Sequence, residues 1–168
     1  MKGIVILIFV LSSFLIAQEK ESEFTRGIIE IGVVVSDLDK SVEFYKNVIG
    51  MQKVGGFNID EDFGKRSGLT GGTPFTVVTM KLIDDDNSTQ WKLMSFGKKA
   101  NHPLPKYIQD DTGMQYTTII VKTMEPFLKR IKENNITLLG ETPTKVGENG
   151  VFVLIQDPDG NFIELIQR

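Results

Sequence analysis

The stretch Ile31-Gly32-Val33-Val34-Val35-Ser36-Asp37-Leu38-Asp39-Lys40-Ser41-Val42-Glu43-Phe44-Tyr45 changes its period halfway along. From Ile28 to Val35 the residues are apolar and β-branched, interrupted only by Glu30 and Gly32. That composition predicts a mostly buried strand. Ser36-Asp37-Leu38-Asp39 then opens a helix, with an acid three residues after Ser36. Leu38, Val42, Tyr45, Val48 and Ile49 form its apolar stripe, and Gly50 is the natural stop.

Reading outward, Met51 to Phe57 predicts a second strand and the polar, Gly-rich residues 58–73 a long loop. Phe75 to Ile83 and Gln90 to Phe96 predict two more strands around the turn Asp84-Asp85-Asp86-Asn87. A linker, 97–113, contains Pro103 and Pro105. The order then repeats. Gln115 to Val121 reads as a strand. Thr123 starts a helix that tolerates Pro126 in its first turn and ends at Asn134-Asn135. Ile136 to Leu139 reads as a short strand. Val151 to Gln156 and Phe162 to Gln167 form a hairpin around Asp157-Pro158-Asp159-Gly160, a strong turn signal. The fold class is α+β: two βαβββ modules, 28–96 and 114–168, pairing into a curved mixed sheet that encloses a cup. Chemistry is expected in the cup.

The ends and the composition bound the function. Met1-Lys2, the apolar run Ile4 to Ala17 and the polar Gln18-Glu19-Lys20-Glu21 read as a secretory signal peptide, 1–17. Residues 18–27 read as a flexible leader and 28–168 as one domain. The run is shorter than the ~20 residues that a spanning helix needs, so no membrane association is expected once it is cleaved. The product is expected to be exported, periplasmic or extracellular. The chain carries a net charge of −3, and loss of Lys2 with the signal makes it −4. A mildly acidic chain without a basic stripe argues against nucleic acid as a partner. There is no Cys, which excludes disulfides, thiolate metal sites and Cys nucleophiles. The single His, His102, sits in the Pro-flanked linker without a nucleophile elbow in the sequence. Gly55-Gly56 and Gly71-Gly72 fit neither phosphate-loop spacing and read as loop residues.

The opening segment, continued to Ile49-Gly50-Met51, resembles the first strand, helix and turn of vicinal oxygen chelate domains. This is the fold of glyoxalases, bleomycin-resistance proteins and extradiol dioxygenases. The segment Asp157-Pro158-Asp159-Gly160-Asn161-Phe162-Ile163-Glu164-Leu165 is similar to that family's closing hairpin. In metal-using members, the resemblance implies one ligand from the first and last strand of each module, usually His, Glu, His and Glu. The ion then binds two substrate oxygens. Carried over by position, those places fall at Glu30, Lys92, Tyr116 and Glu164. Only Glu164 keeps the usual residue. Lys92 is cationic and cannot ligate a hard ion without losing its proton, and Tyr is an uncommon ligand.

Several readings stay open. Glu164 sits in an apolar strand, and its side chain faces either the cup, with Phe162 and Ile166, or solvent. Lys92 either stands where the metal stood, bridging Glu30 and Glu164 beside the Tyr116 hydroxyl, or is a surface lysine on an edge strand. Glu30 either shares a weak divalent site with Glu164 or is a structural charge. The expected cup is lined by Glu30, Lys92, Met94, Phe96, Tyr116, Phe162 and Glu164, with the loop around Phe63, Leu69 and Phe75 closing over it. The cofactor is either none or one divalent metal. Three functions compete. One is an exported protein binding a small molecule in the cup with a degenerate metal site. A second is an enzyme: either a lyase, isomerase or dioxygenase with noncanonical metal ligands, or a metal-free one with Glu164 as base and Lys92 as electrostatic stabiliser. The third is a partner-binding domain with a vestigial cup. The resemblance also points to a homodimer.

Overall fold

The computed structural model describes residues 23–99, 101 and 103–168. The apolar run 4–17 and His102 lie outside the described residues. Among the described residues no helix is long and apolar enough to cross a membrane.

The first module runs β1 (Ile31–Val34), α1 (Leu38–Phe44), a π-helical turn (Tyr45–Ile49), β2 (Gln52–Ile59), α2 (Glu61–Arg66), β3 (Phe75–Lys81) and β4 (Trp91–Met94). The second runs β5 (Tyr116–Val121), α3 (Glu125–Glu133), β6 (Thr144–Val146), β7 (Gly150–Gln156) and β8 (Phe162–Gln167). The strands form two four-stranded sheets, ordered β1-β4-β3-β2 and β5-β8-β7-β6. Each has one parallel pair, β1 with β4 and β5 with β8, and antiparallel neighbours otherwise. The duplicated order expected from the sequence is therefore present in both halves.

Alternation along the strands sends one face of each sheet to a shared core. From the first sheet Val78, Met80, Trp91 and Leu93 point there, and from the second Ile119, Val153, Ile155, Ile163 and Leu165. Tyr45, Val48 and Ile49 of the π-helical turn and Ile131 of α3 fill the space between. Arg130 of α3 clamps the end of that turn, donating to the carbonyls of Val48 at 2.9 Å and Ile49 at 3.1 Å. The other face of each sheet, here the open face, is turned away from α1 and α3.

The two segments that carry the resemblance meet in space. The Tyr45 hydroxyl donates to Asp157 Oδ2 at 2.8 Å, a buried bond across 112 residues. The Ser36 N–H donates to Asp159 Oδ1 and Oδ2 at 3.1 and 3.2 Å. Asp157 also accepts the N–H groups of Asp159 and Asn161, which shapes the turn between β7 and β8. Burial and the adjacent Asp157 carboxylate both raise the Tyr45 pKa, so the phenol stays protonated as a donor.

Four local expectations are corrected. Asp37, not Ser36, caps α1, accepting from the Lys40 N–H at 3.0 Å. Residues 58–73 are not one loop: Asp60 caps α2 through the Phe63 N–H at 2.7 Å. Gly55 and Gly56 lie inside β2. A Cβ on Gly56 would stand 2.3 Å from the Val77 carbonyl oxygen, so this close approach of β3 demands glycine. Finally, 136–139 is not a strand. Ile136 and Leu138 pack on the core, and only Leu139 bonds β7, through Leu154 O at 2.9 Å. The chain turns at Gly140, φ 62°, and the edge strand forms later, at Thr144–Val146.

Candidate functional site

Strand register decides which side chains share an open face. In the first sheet Gly32, Lys92, Thr79 and Gly55 form one row across four strands. Val34, Met94, Val77 and Phe57 form the next. Beyond them the rings of Phe75 and Phe96 meet at 5.1 Å.

Lys92 projects from the middle of β4 with its side chain 25% exposed. Its Nζ lies 2.5 Å from Glu30 Oε2 and 5.8 Å from the Phe57 ring centroid. Glu30, just ahead of β1, is shared: Arg26 NH2 donates to its other oxygen at 2.8 Å. The Lys92 hydrogen bond, helped by Arg26 and opposed by partial burial, holds the Glu30 carboxyl below its ordinary value of 4.5. Arg26 belongs to the segment expected to be a flexible leader, yet it also donates to the Asp86 carbonyl at 3.3 Å.

In the second sheet Glu164 lies on the open face of β8, in register with Thr118 and Leu154. Thr118 Oγ1 donates to Glu164 Oε2 at 2.6 Å. Neither Glu30 nor Lys92 bonds to Glu164. The expected bridge is thus present in one half, Lys92 to Glu30, and missing in the other. Tyr116, at the start of β5, is exposed, and its register partner Phe162 is buried. Both line a smaller cleft, about 230 Å³, between the β1 and β5 edges.

A cleft of about 660 Å³ opens at the far end of β1. Val34, Leu69 and Phe96 supply apolar walls, and Lys98, Lys99 and Asp159 its charges. Of the seven expected lining residues only Phe96 reaches it. Leu69 of the expected closing loop lines this cleft, whereas Phe63 lies on α2 beneath the Arg66 guanidinium. Asp159 joins this cleft to the hairpin. Its turn was legible in the sequence, but its contact with Ser36 was not.

The four positions do not compose a cation site. Glu30 is neutralised by two cations, Lys92 is itself one, and Glu164 belongs to a different sheet with a hydroxyl partner. Among the described residues no group of three or more His, Cys, Asp or Glu side chains is placed to hold a metal ion. The donor set therefore does not fit the divalent ion that the resemblance implies.

Comparison with known proteins follows the same lines. Residues 27–165 match the family described as the Glyoxalase/Bleomycin resistance protein/Dioxygenase superfamily. The chain is 28% identical over 144 residues to an uncharacterised protein of Bacillus subtilis, YurT, covering 84% of this chain and 98% of that one. It is 29% identical over 137 residues to a lactoylglutathione lyase of Neisseria meningitidis, covering 80% and 85%. A glyoxalase family protein from Bacillus cereus superposes with a TM-score of 0.69 at 19% identity, covering 88% and 96%. The trypanothione-dependent glyoxalase I of Leishmania major superposes at 0.59 and 20% identity, covering 85% and 87%. At such identities the structural likeness speaks for the fold alone.

Proposed function

This chain belongs to the Glyoxalase/Bleomycin resistance protein/Dioxygenase superfamily, and from that premise we propose that it is an exported protein that binds a small molecule without a resident metal ion. One observation carries the reading: Lys92, at a position to which the resemblance carries a family ligand, is ion-paired with Glu30 as an ammonium. A protonated amine has no lone pair to give. The cleft of about 660 Å³ supports the reading too, since small-molecule sites span roughly 300–1,000 Å³. Its mixture of apolar wall and few charges is the usual lining of such sites. Export rests on the apolar run Ile4 to Ala17. A homodimer belongs to the same reading, with the exposed Ile120 on the open face of the second sheet left free for a partner copy.

The test is elemental analysis of purified protein, with melting curves in Zn, Mn, Co and Ni, with chelator, and with a small-molecule panel. The expected result is no stoichiometric metal, no chelator effect, and compounds that raise Tm in the wild type but not in Phe96→Ala. Stoichiometric metal whose removal lowers Tm would overturn it. The reading would then pass to a metal-dependent lyase, isomerase or dioxygenase, which Glu164 and the likeness to a lactoylglutathione lyase favour. Mass analysis of the mature N-terminus tests export, and light scattering tests the dimer.

A further inference from the structure

The open face of the first sheet carries an unbalanced positive charge. Arg26 and Lys92 share the single carboxylate of Glu30. An ammonium has three N–H donors. Glu30 takes one, and no other acceptor among the described residues takes the rest.

Space is left beside that charge. In the row Gly32, Lys92, Thr79, Gly55, both outer positions lack a side chain. A Cβ on Gly55 would meet nothing within 4 Å, and one on Gly32 only the flexible Met94 methyl at 3.4 Å. The next row along the strands is apolar, and two of its members are well exposed, Val34 at 61% and Phe57 at 45%. Lys92 to Phe96 spans roughly 13 Å of strand, from a cationic end to an aromatic one.

We infer that this face binds the anionic head of a small amphipathic carboxylate at Lys92, with its apolar body along Val34, Met94 and Phe57. The inference rests on the small-molecule reading above and adds to it a neighbouring site, which shares Val34 with the cleft of about 660 Å³, and the ligand class that site takes. The occupant follows from charge complementarity: an excess cation asks for an anion, and the adjoining row asks for apolar surface. The ammonium then serves directly as the counter-charge for a ligand oxygen. Thr79, beside Lys92 in the row, adds a hydroxyl to the same end.

Octanoate and octanol are the probes, equal in chain length and different in charge. Calorimetric titration of the whole protein is expected to show octanoate binding roughly tenfold tighter than octanol, the value of one charge-assisted hydrogen bond. Lys92→Gln is expected to remove that preference while octanol binding stays, and Lys92→Arg to retain most of it. Phe57→Ala is expected to weaken both probes alike. Equal affinity of the two probes for the wild type, an undiminished preference in Lys92→Gln, or no binding of either overturns the anion site. The small-molecule reading fails separately, on a panel without a single ligand, so the two failures are distinguishable. Melting curves of the variants establish that each is folded.

Discussion

Leu93 and Leu165 occupy the same place in the two sheets, each in the strand beside the parallel edge, and both are fully buried. Their chain neighbours Lys92 and Glu164 are also equivalent, on the open faces, yet they differ in charge and in partner. Toward the core the two modules are alike, because any βαβββ unit must bury one sheet face against helices. Toward the open face they are free to diverge. The slot next to each residue on the edge strand accounts for the partners. Beside Lys92 that slot is Gly32, so the long side chain passes an empty position and reaches Glu30. Beside Glu164 it is Thr118, whose hydroxyl meets the carboxylate.

The largest effect that tests this comparison lies in the core. Leu93→Ala and Leu165→Ala are each expected to cost about 3 kcal/mol in chemical denaturation. Values differing by more than about 1.5 kcal/mol would break the likeness of the core faces, since that exceeds the spread expected for equally packed sites.

On the open faces the expected effects are smaller and unequal. Lys92→Glu breaks the ion pair and sets a second carboxylate beside Glu30, which is expected to cost about 1 kcal/mol. Thr118→Val removes an exposed hydrogen bond and is expected to cost under about 0.5 kcal/mol. Lys92→Glu is also expected to gain a melting response to Mn or Zn that the wild type lacks, because the cation that opposed a metal is gone. Equal costs, or no gained response, would remove the electrostatic distinction between the faces.

The smallest effect is in pH dependence. The folded-state pKa of Glu30 lies below its ordinary value of 4.5. Its contribution to stability is therefore full above that value and disappears as pH falls through the lower, folded one. Glu30→Gln is expected to flatten this acid-side loss, read as denaturation midpoints between about pH 6 and 3. An unchanged acid limb would mean that the Lys92 pair contributes nothing to folding.

Much of this was legible in the residues alone. Apolar, β-branched runs between turn signals marked seven of the eight strands, Gly50 marked the end of the first helix, and Asp157-Pro158-Asp159-Gly160 marked the hairpin. Each signal spans a few residues and acts through local backbone preference. The missing strand at 144–146 is short, polar and exposed, so no apolar pattern announces it. Capping by Asp60 was hidden because Gly64 and the surrounding polar residues look like loop.

The sequence by itself determined the duplicated βαβββ order, and its resemblance to the family pointed to Glu30, Lys92, Tyr116 and Glu164, of which only Glu164 keeps the usual residue. Only the tertiary structure decided that Lys92 answers Glu30 across 62 residues and that Thr118 answers Glu164 across 46. It also decided that Tyr45 ties the first module to Asp157, and that a cleft of about 660 Å³ opens at the end of β1. Such pairings depend on strand register and on what fills the neighbouring slot, and those are settled when the sheets assemble.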